Sequence, residues 1–177
     1  MAADSATVKW AALGRFLPTL ACVVAASVLV GLAGCDPQRV EQLEEGVATE
    51  AQVRKLFGEP ANVIPQPDGS RQFEYPRQPE GWTNYLITIG PDGKMSSLRQ
   101  LLNEANFAKV LPGLSGMQVR AMLGRPAQQQ RFELKNEDVL SWRFKQNGQD
   151  PKLFSVTFVN GKATASGIFD DPRETAR

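Results

Sequence analysis

The chain has 177 residues, with 20 Lys+Arg against 19 Asp+Glu, two cysteines and no histidine. The absence of imidazole excludes His-based triads and dyads and the usual His metal sites, and two cysteines cannot build a Cys cluster. A formal net charge of +1 leaves no excess of cations to neutralise phosphates, so nucleic acid is not an expected partner.

Residues 1–34 read as an export signal: Lys9 and Arg15 are basic, and Phe16 to Ala33 carries no charge. The segment ends in Leu32-Ala33-Gly34-Cys35, which resembles the lipobox of bacterial lipoproteins, in which the Cys is acylated and becomes the mature N-terminus. The competing reading is an uncleaved membrane anchor. Eighteen uncharged residues lie near the lower limit for a span, and Pro18, Ala25, Ala26 and Gly31 weaken them as a membrane helix. Removing 34 residues from 177 leaves 143, enough for one or two small domains with a core. That remainder carries 18 basic and 18 acidic residues, and Cys35 is its only cysteine, so no intramolecular disulfide is available and the apolar core must supply stability. Only Asp36 separates Cys35 from Pro37, which suits a first helical turn, and Val40 and Leu43 follow at once. At about 3.5 Å of reach per residue the first folded unit should lie against the lipid headgroups, held by acyl chains contributing about 0.8 kcal/mol per buried CH₂.

The next segment is written twice. Thr49 to Pro60 returns as Ser115 to Pro126, 66 positions downstream. Each copy opens with Ser or Thr followed three residues later by Gln, a capping box, and then spaces apolar residues i, i+3, i+4: Val53, Leu56, Phe57 and Val119, Met122, Leu123. Gly58 and Gly124 stand where a left-handed C-cap is expected, and Pro60 and Pro126 forbid continuation. Upstream, Val40, Leu43 and Gly46 match Phe107, Val110 and Gly113, predicting a preceding helix in each copy. Downstream, Phe73 and Tyr75 match Trp142 and Phe144, and Tyr85, Ile87, Ile89 match Phe154, Val156, Phe158, all 69 positions apart. Their period-two alternation predicts strands with one buried face. The turns Pro91-Asp92-Gly93-Lys94 and Asn160-Gly161-Lys162 lead to further strands from Met95 to Gln100 and Ala163 to Phe169. The predicted fold is α+β: two tandem helix-helix-three-strand repeats, 35–102 and 103–170, each an antiparallel sheet with helices on one face, followed by a polar tail, 171–177.

Neither GxGxxG nor GxxxxGK[ST] is present. The visible carboxylate pairs, Glu44-Glu45 and Asp170-Asp171, read as solvated surface, the first because adjacent helical residues diverge and the second because it opens the polar tail. Catalytic residues, metal and cofactors are therefore expected to be none. Phe73, Tyr75, Trp142 and Phe144 are expected in the core, or on an open sheet face that binds a partner. Trp82, after Pro79-Glu80-Gly81 at a loop-to-strand boundary, is the candidate exposed aromatic contact.

Gly113-Leu114-Ser115-Gly116-Met117-Gln118-Val119, Leu123-Gly124-Arg125-Pro126, Trp142-Arg143-Phe144, Phe154 to Phe158 and Asn160-Gly161-Lys162 together resemble the SmpA/OmlA (BamE-like) outer-membrane assembly lipoprotein family. The repeat architecture is similar to that of the β-lactamase inhibitor protein. The resemblance covers Gln38 to Asp171, in tandem where assembly-machinery members typically have one unit. It implies a non-catalytic envelope protein with lipid on Cys35 that assists outer-membrane β-barrel assembly by binding proteins. A periplasmic inhibitor or sensor, gripping an envelope enzyme with a concave sheet face, is the alternative. Outer-membrane placement is expected, although Asp36 resembles an inner-membrane retention signal.

Overall fold

In the computed structural model, residues 36–146 and 150–175 are described; the signal segment and Cys35 lie outside them. Thr49 accepts from the Gln52 backbone while the Gln52 side chain accepts from the Thr49 N–H, starting α2 (Glu50–Phe57) after a short α1 (Asp36–Val40). Ser115 and Gln118 do the same for α4 (Gly116–Leu123), which follows α3 (Glu104–Phe107). Both long helices end as expected at glycine, but not in the left-handed helical region. Gly58 lies at φ 82°, ψ −165° and Gly124 at φ 75°, ψ −162°, a combination essentially reserved for glycine. Gly58 N–H then reaches Arg54 O at 2.8 Å and Gly124 N–H reaches Arg120 O at 2.7 Å.

The class is α+β. Four antiparallel strands in chain order, β1 (Asn62–Pro65), β2 (Arg71–Pro76), β3 (Asn84–Ile89) and β4 (Met95–Gln100), form one sheet. The strands β5 (Gln128–Phe132), β6 (Glu137–Phe144), β7 (Lys152–Val159) and β8 (Lys162–Asp170) form a separate one. Each repeat thus has one strand more than the alternation predicts. The extra strands are the edges β1 and β5, every residue of β1 exposed and β5 reading Gln-Gln-Gln-Arg-Phe, so neither has a buried side to produce a period of two.

The pairing also corrects the alignment of the copies. Tyr75 faces Tyr85 across β2 and β3, and Trp142 faces Phe154 across β6 and β7, so Tyr75 corresponds to Trp142 and Phe73 to Leu140, 67 positions apart rather than 69. The corrected frame repeats in detail. Gly46 N–H bonds Met95 O at 2.8 Å, as Gly113 N–H bonds Ala163 O at 2.8 Å, and each third-to-fourth strand pair carries a register shift at the same place, Thr88/Ile89 and Thr157/Phe158.

Each repeat buries its own apolar cluster. Val53 and Phe57 of α2 pack with Phe73, Tyr75, Tyr85, Ile87, Ile89 and Met95 on one face of the first sheet. In the second, Val119 and Leu123 pack with Leu140, Trp142, Phe154, Val156 and Phe158, and Phe107 stacks on Phe154 with ring centroids 4.2 Å apart. Leu102, from the connection between the repeats, is buried in the second cluster. Beside the first core, Glu50 receives hydrogen bonds from Arg71 (2.5 Å) and Arg54 (2.8 Å). Burial alone would raise its pKa; the bonds from Arg71 and Arg54 outweigh this and hold it below the ordinary glutamate value.

Candidate functional site

The two repeats meet where the β2–β3 loop of the first reaches the end of β6 in the second. Beyond Ser141, β6 has outrun its neighbour β5, and its backbone would be left unpaired on that side. The Gln78 carboxamide fills the gap like a short strand: its Nε2 donates to Arg143 O at 2.7 Å and its Oε1 accepts from Arg143 N–H at 3.2 Å. Asn84, 1% exposed at the other end of the loop, donates from Nδ2 to Leu123 O (2.7 Å) and Arg125 O (2.9 Å), satisfying carbonyls at the end of α4. A Cβ at Gly124 would lie 2.9 Å from that same Nδ2, so the seam closes only with glycine there.

Arg143 is the centre of the junction. Trp142 points into the core, so its neighbour points to the opposite face of the sheet, yet Arg143 is only 4% exposed. Its Nη1 donates to Pro79 O at 3.2 Å and lies 3.5 Å from Glu80 O, its Nη2 bonds Glu174 at 3.3 Å, and its Nε donates to the Asp171 carboxylate. The guanidinium thus ties the loop of repeat 1 to the segment after β8, which turns into α5 (Pro172–Thr175). Arg173 adds a bond from Nη1 to Pro79 O at 3.3 Å. Above this base stands Trp82, 37% exposed, with the Arg143 guanidinium 5.9 Å and Lys145 Nζ 5.3 Å from its ring centre.

The sequence-selected residues divide sharply. Phe73, Tyr75, Trp142 and Phe144 are at most 3% exposed and belong to the two cores, which removes them as direct partner contacts. Trp82 alone of the five is at the surface. Glu44 and Glu45 are exposed, Glu45 accepting from Leu98 N–H at 2.8 Å, and Asp170 is exposed beside Lys152 Nζ at 2.5 Å. Asp171 corrects the solvated reading of the second pair and of the tail: its side chain is fully buried because Arg143 and the Arg173 backbone N–H both bind it. Cys35 lies outside the described residues. Among the described residues no group of three or more His, Cys, Asp or Glu is arranged to hold a metal, and no helix is long and apolar enough to cross a membrane.

Gln78, Asn84 and Arg143 are not singled out by the sequence, and Asp171 reads there as solvated. For Asn84 and Arg143 the signal is disagreement between the copies. In the corrected frame Asn84 is the counterpart of Leu153, and Arg143 the counterpart of Pro76, so polar residues sit where the other copy is apolar.

Neither protein-family models nor curated proteins match this sequence. Among solved structures it is similar to an osmotically inducible lipoprotein, OsmE, at 30% identity over 41% of this chain and 76% of that one, with a TM-score of 0.35. It is also similar to a Streptococcus mutans protein described as a β-lactamase inhibitor protein, at 12% identity over 70% and 83% of the two chains, with a TM-score of 0.32. A DUF4309 family protein, YjgB, from Bacillus subtilis matches at 15% identity over 76% and 86%, also at 0.32. Overlaps of this extent assign neither function nor partner.

Proposed function

We propose that this protein is a non-catalytic, lipid-anchored component of the cell envelope, a BamE-like factor of the SmpA/OmlA type that assists outer-membrane β-barrel assembly by binding another protein. The observation that carries the reading is Trp82. A large aromatic side chain stands at the surface on a loop fixed from below by Gln78, Asn84 and Arg143. An aromatic anchor held in place before binding loses little conformational entropy on contact, which is what recognition hot spots require. The lipobox ending at Cys35 and the ordered motifs of both copies support attachment to the membrane. In this reading the lipid concentrates the junction near its partner, and the two apolar clusters act as scaffold.

The test is cross-linking and co-purification from detergent-solubilised envelopes, with Trp82→Ala and Cys35→Ala variants of the full chain. Barrel-assembly components should be recovered with the wild type and lost with Trp82→Ala. Cys35→Ala should move the protein from the membrane fraction to the soluble one. Recovery of no barrel-assembly component by the wild type overturns the proposal.

A further inference from the structure

We infer that the segment Asp171–Thr175 is a strap that fixes the Trp82 loop, with Asp171 as a positioning residue for the partner surface; this rests on Trp82 being the contact proposed above. One cation is shared by two pieces of chain. Arg143 belongs to β6, and its backbone is already engaged by Gln78. Its guanidinium gives Nη1 to the loop, at Pro79 O and Glu80 O, and Nε and Nη2 to the strap, at Asp171 and Glu174. A guanidinium with 5% side-chain exposure is stable only while it is both hydrogen-bonded and neutralised. The loop carbonyls supply acceptors but no negative charge. The neutralising charges come from the strap, chiefly from Asp171, whose side chain is 0% exposed, with Glu174 at 29%.

Removing the strap would therefore leave the cation with carbonyls and the Trp82 ring but no anion. Its relief is to turn toward water, which withdraws the donor that holds Pro79 and Glu80 and separates the guanidinium from the Trp82 ring. Arg173 leaves with the strap and takes its own bond to Pro79 O with it. Glu80 Oε2 lies 4.0 Å from Arg173 Nη1, an ion pair that runs between loop and strap. Among the described residues, neither apolar cluster includes Asp171, Pro172, Arg173 or Glu174. Loss of the strap should accordingly loosen the loop and leave the cores in place.

The measurement is hydrogen exchange of the full chain, comparing amides of residues 77–84 with those of β3 and β7. Asp171→Asn keeps the shape and removes the charge. The double variant Arg143→Met/Asp171→Leu removes both charges, so no buried ion is left unpaired, and it decides the question if the single variant fails to fold. Both should exchange about tenfold faster in the loop, with strand protection unchanged. Asp171→Glu, which keeps the charge, should restore most of the loop protection. Unchanged loop exchange in the double variant, or acceleration spread equally through both cores, overturns the strap. Partner capture separates this from the reading it rests on: if Trp82→Ala still captures the partner, that reading fails whatever the exchange data show.

Discussion

Tyr75 and Trp142 hold the same place in the two copies and perform the same task with different atoms. The Tyr75 hydroxyl donates to Gly58 O at 3.1 Å, and the Trp142 indole N–H donates to Gly124 O at 3.0 Å, each tying the carbonyl just past a helix to the sheet beneath. Only the tyrosine can ionise. Burial pushes its pKa up from 10.0 to about 12, so between these values the native protein keeps a proton that the unfolded chain has lost. The stability linked to this group is whole below pH 10 and declines as the pH rises toward 12. Tyr75→Phe should cost about 1 kcal/mol at neutral pH through the lost hydrogen bond and should flatten the alkaline decline. Denaturant unfolding of both proteins at neutral pH and near pH 11 checks this; an equal alkaline loss in the variant would show that Tyr75 is not the linked group. The sequence marked both aromatics as strand residues, in the core or on an open face, but not as equivalents. Its alternation fits offsets of 67 and 69 equally well, because a shift of two positions preserves the face of a strand.

At the scale of elements, the helices were more legible than the sheets. A capping box is chemistry within four residues, so the sequence contains the whole of it. Gln52 N–H reaches Thr49 Oγ1 at 3.3 Å and Thr49 N–H reaches Gln52 Oε1 at 2.8 Å; the second copy shows 3.2 and 2.8 Å between Gln118 and Ser115. The edge strands β1 and β5 have no such local signature, because their pairing reaches beyond the segment itself, out to Glu74 for Asn62 and Ser141 for Gln128, and neither has a buried side. The two helices occupy different apolar clusters, so their caps should act independently. Thr49→Ala and Ser115→Ala should each cost about 1 kcal/mol, and the double variant should lose the sum to within about 0.5 kcal/mol. Chemical denaturation of the three proteins tests this, and a double variant no less stable than either single one would mean that the caps do not bear on global unfolding.

For the whole molecule, the question is whether two cores joined at one seam unfold together. Duplication writes the core pattern twice, but Asn84 and Arg143, which join the cores, stand where the copies differ, so the sequence pattern that disclosed the repeats was silent about them. Asn84 and Gln78 supply four side-chain bonds across the junction, and Leu102 buries the connecting chain in the second core. Each buried carbonyl that loses its donor costs about 1–3 kcal/mol, so removing both side chains withdraws an interaction comparable with the stability of a small domain. Intact coupling predicts that damage in one core is felt by both. Phe107→Ala, which empties the space beneath Phe144 and Phe154 in repeat 2, should cost about 3–5 kcal/mol and lower the denaturation midpoint of repeat 1 amides equally. In a Gln78→Ala/Asn84→Leu background the same Phe107→Ala change should lower chiefly the repeat 2 midpoint, because β2 and β3 then lose the four bonds that join them to β6 and the end of α4. Hydrogen exchange followed through a denaturant series reads the halves separately, and repeat 1 falling in step with repeat 2 in that background would show that Gln78 and Asn84 are not what makes the folding cooperative.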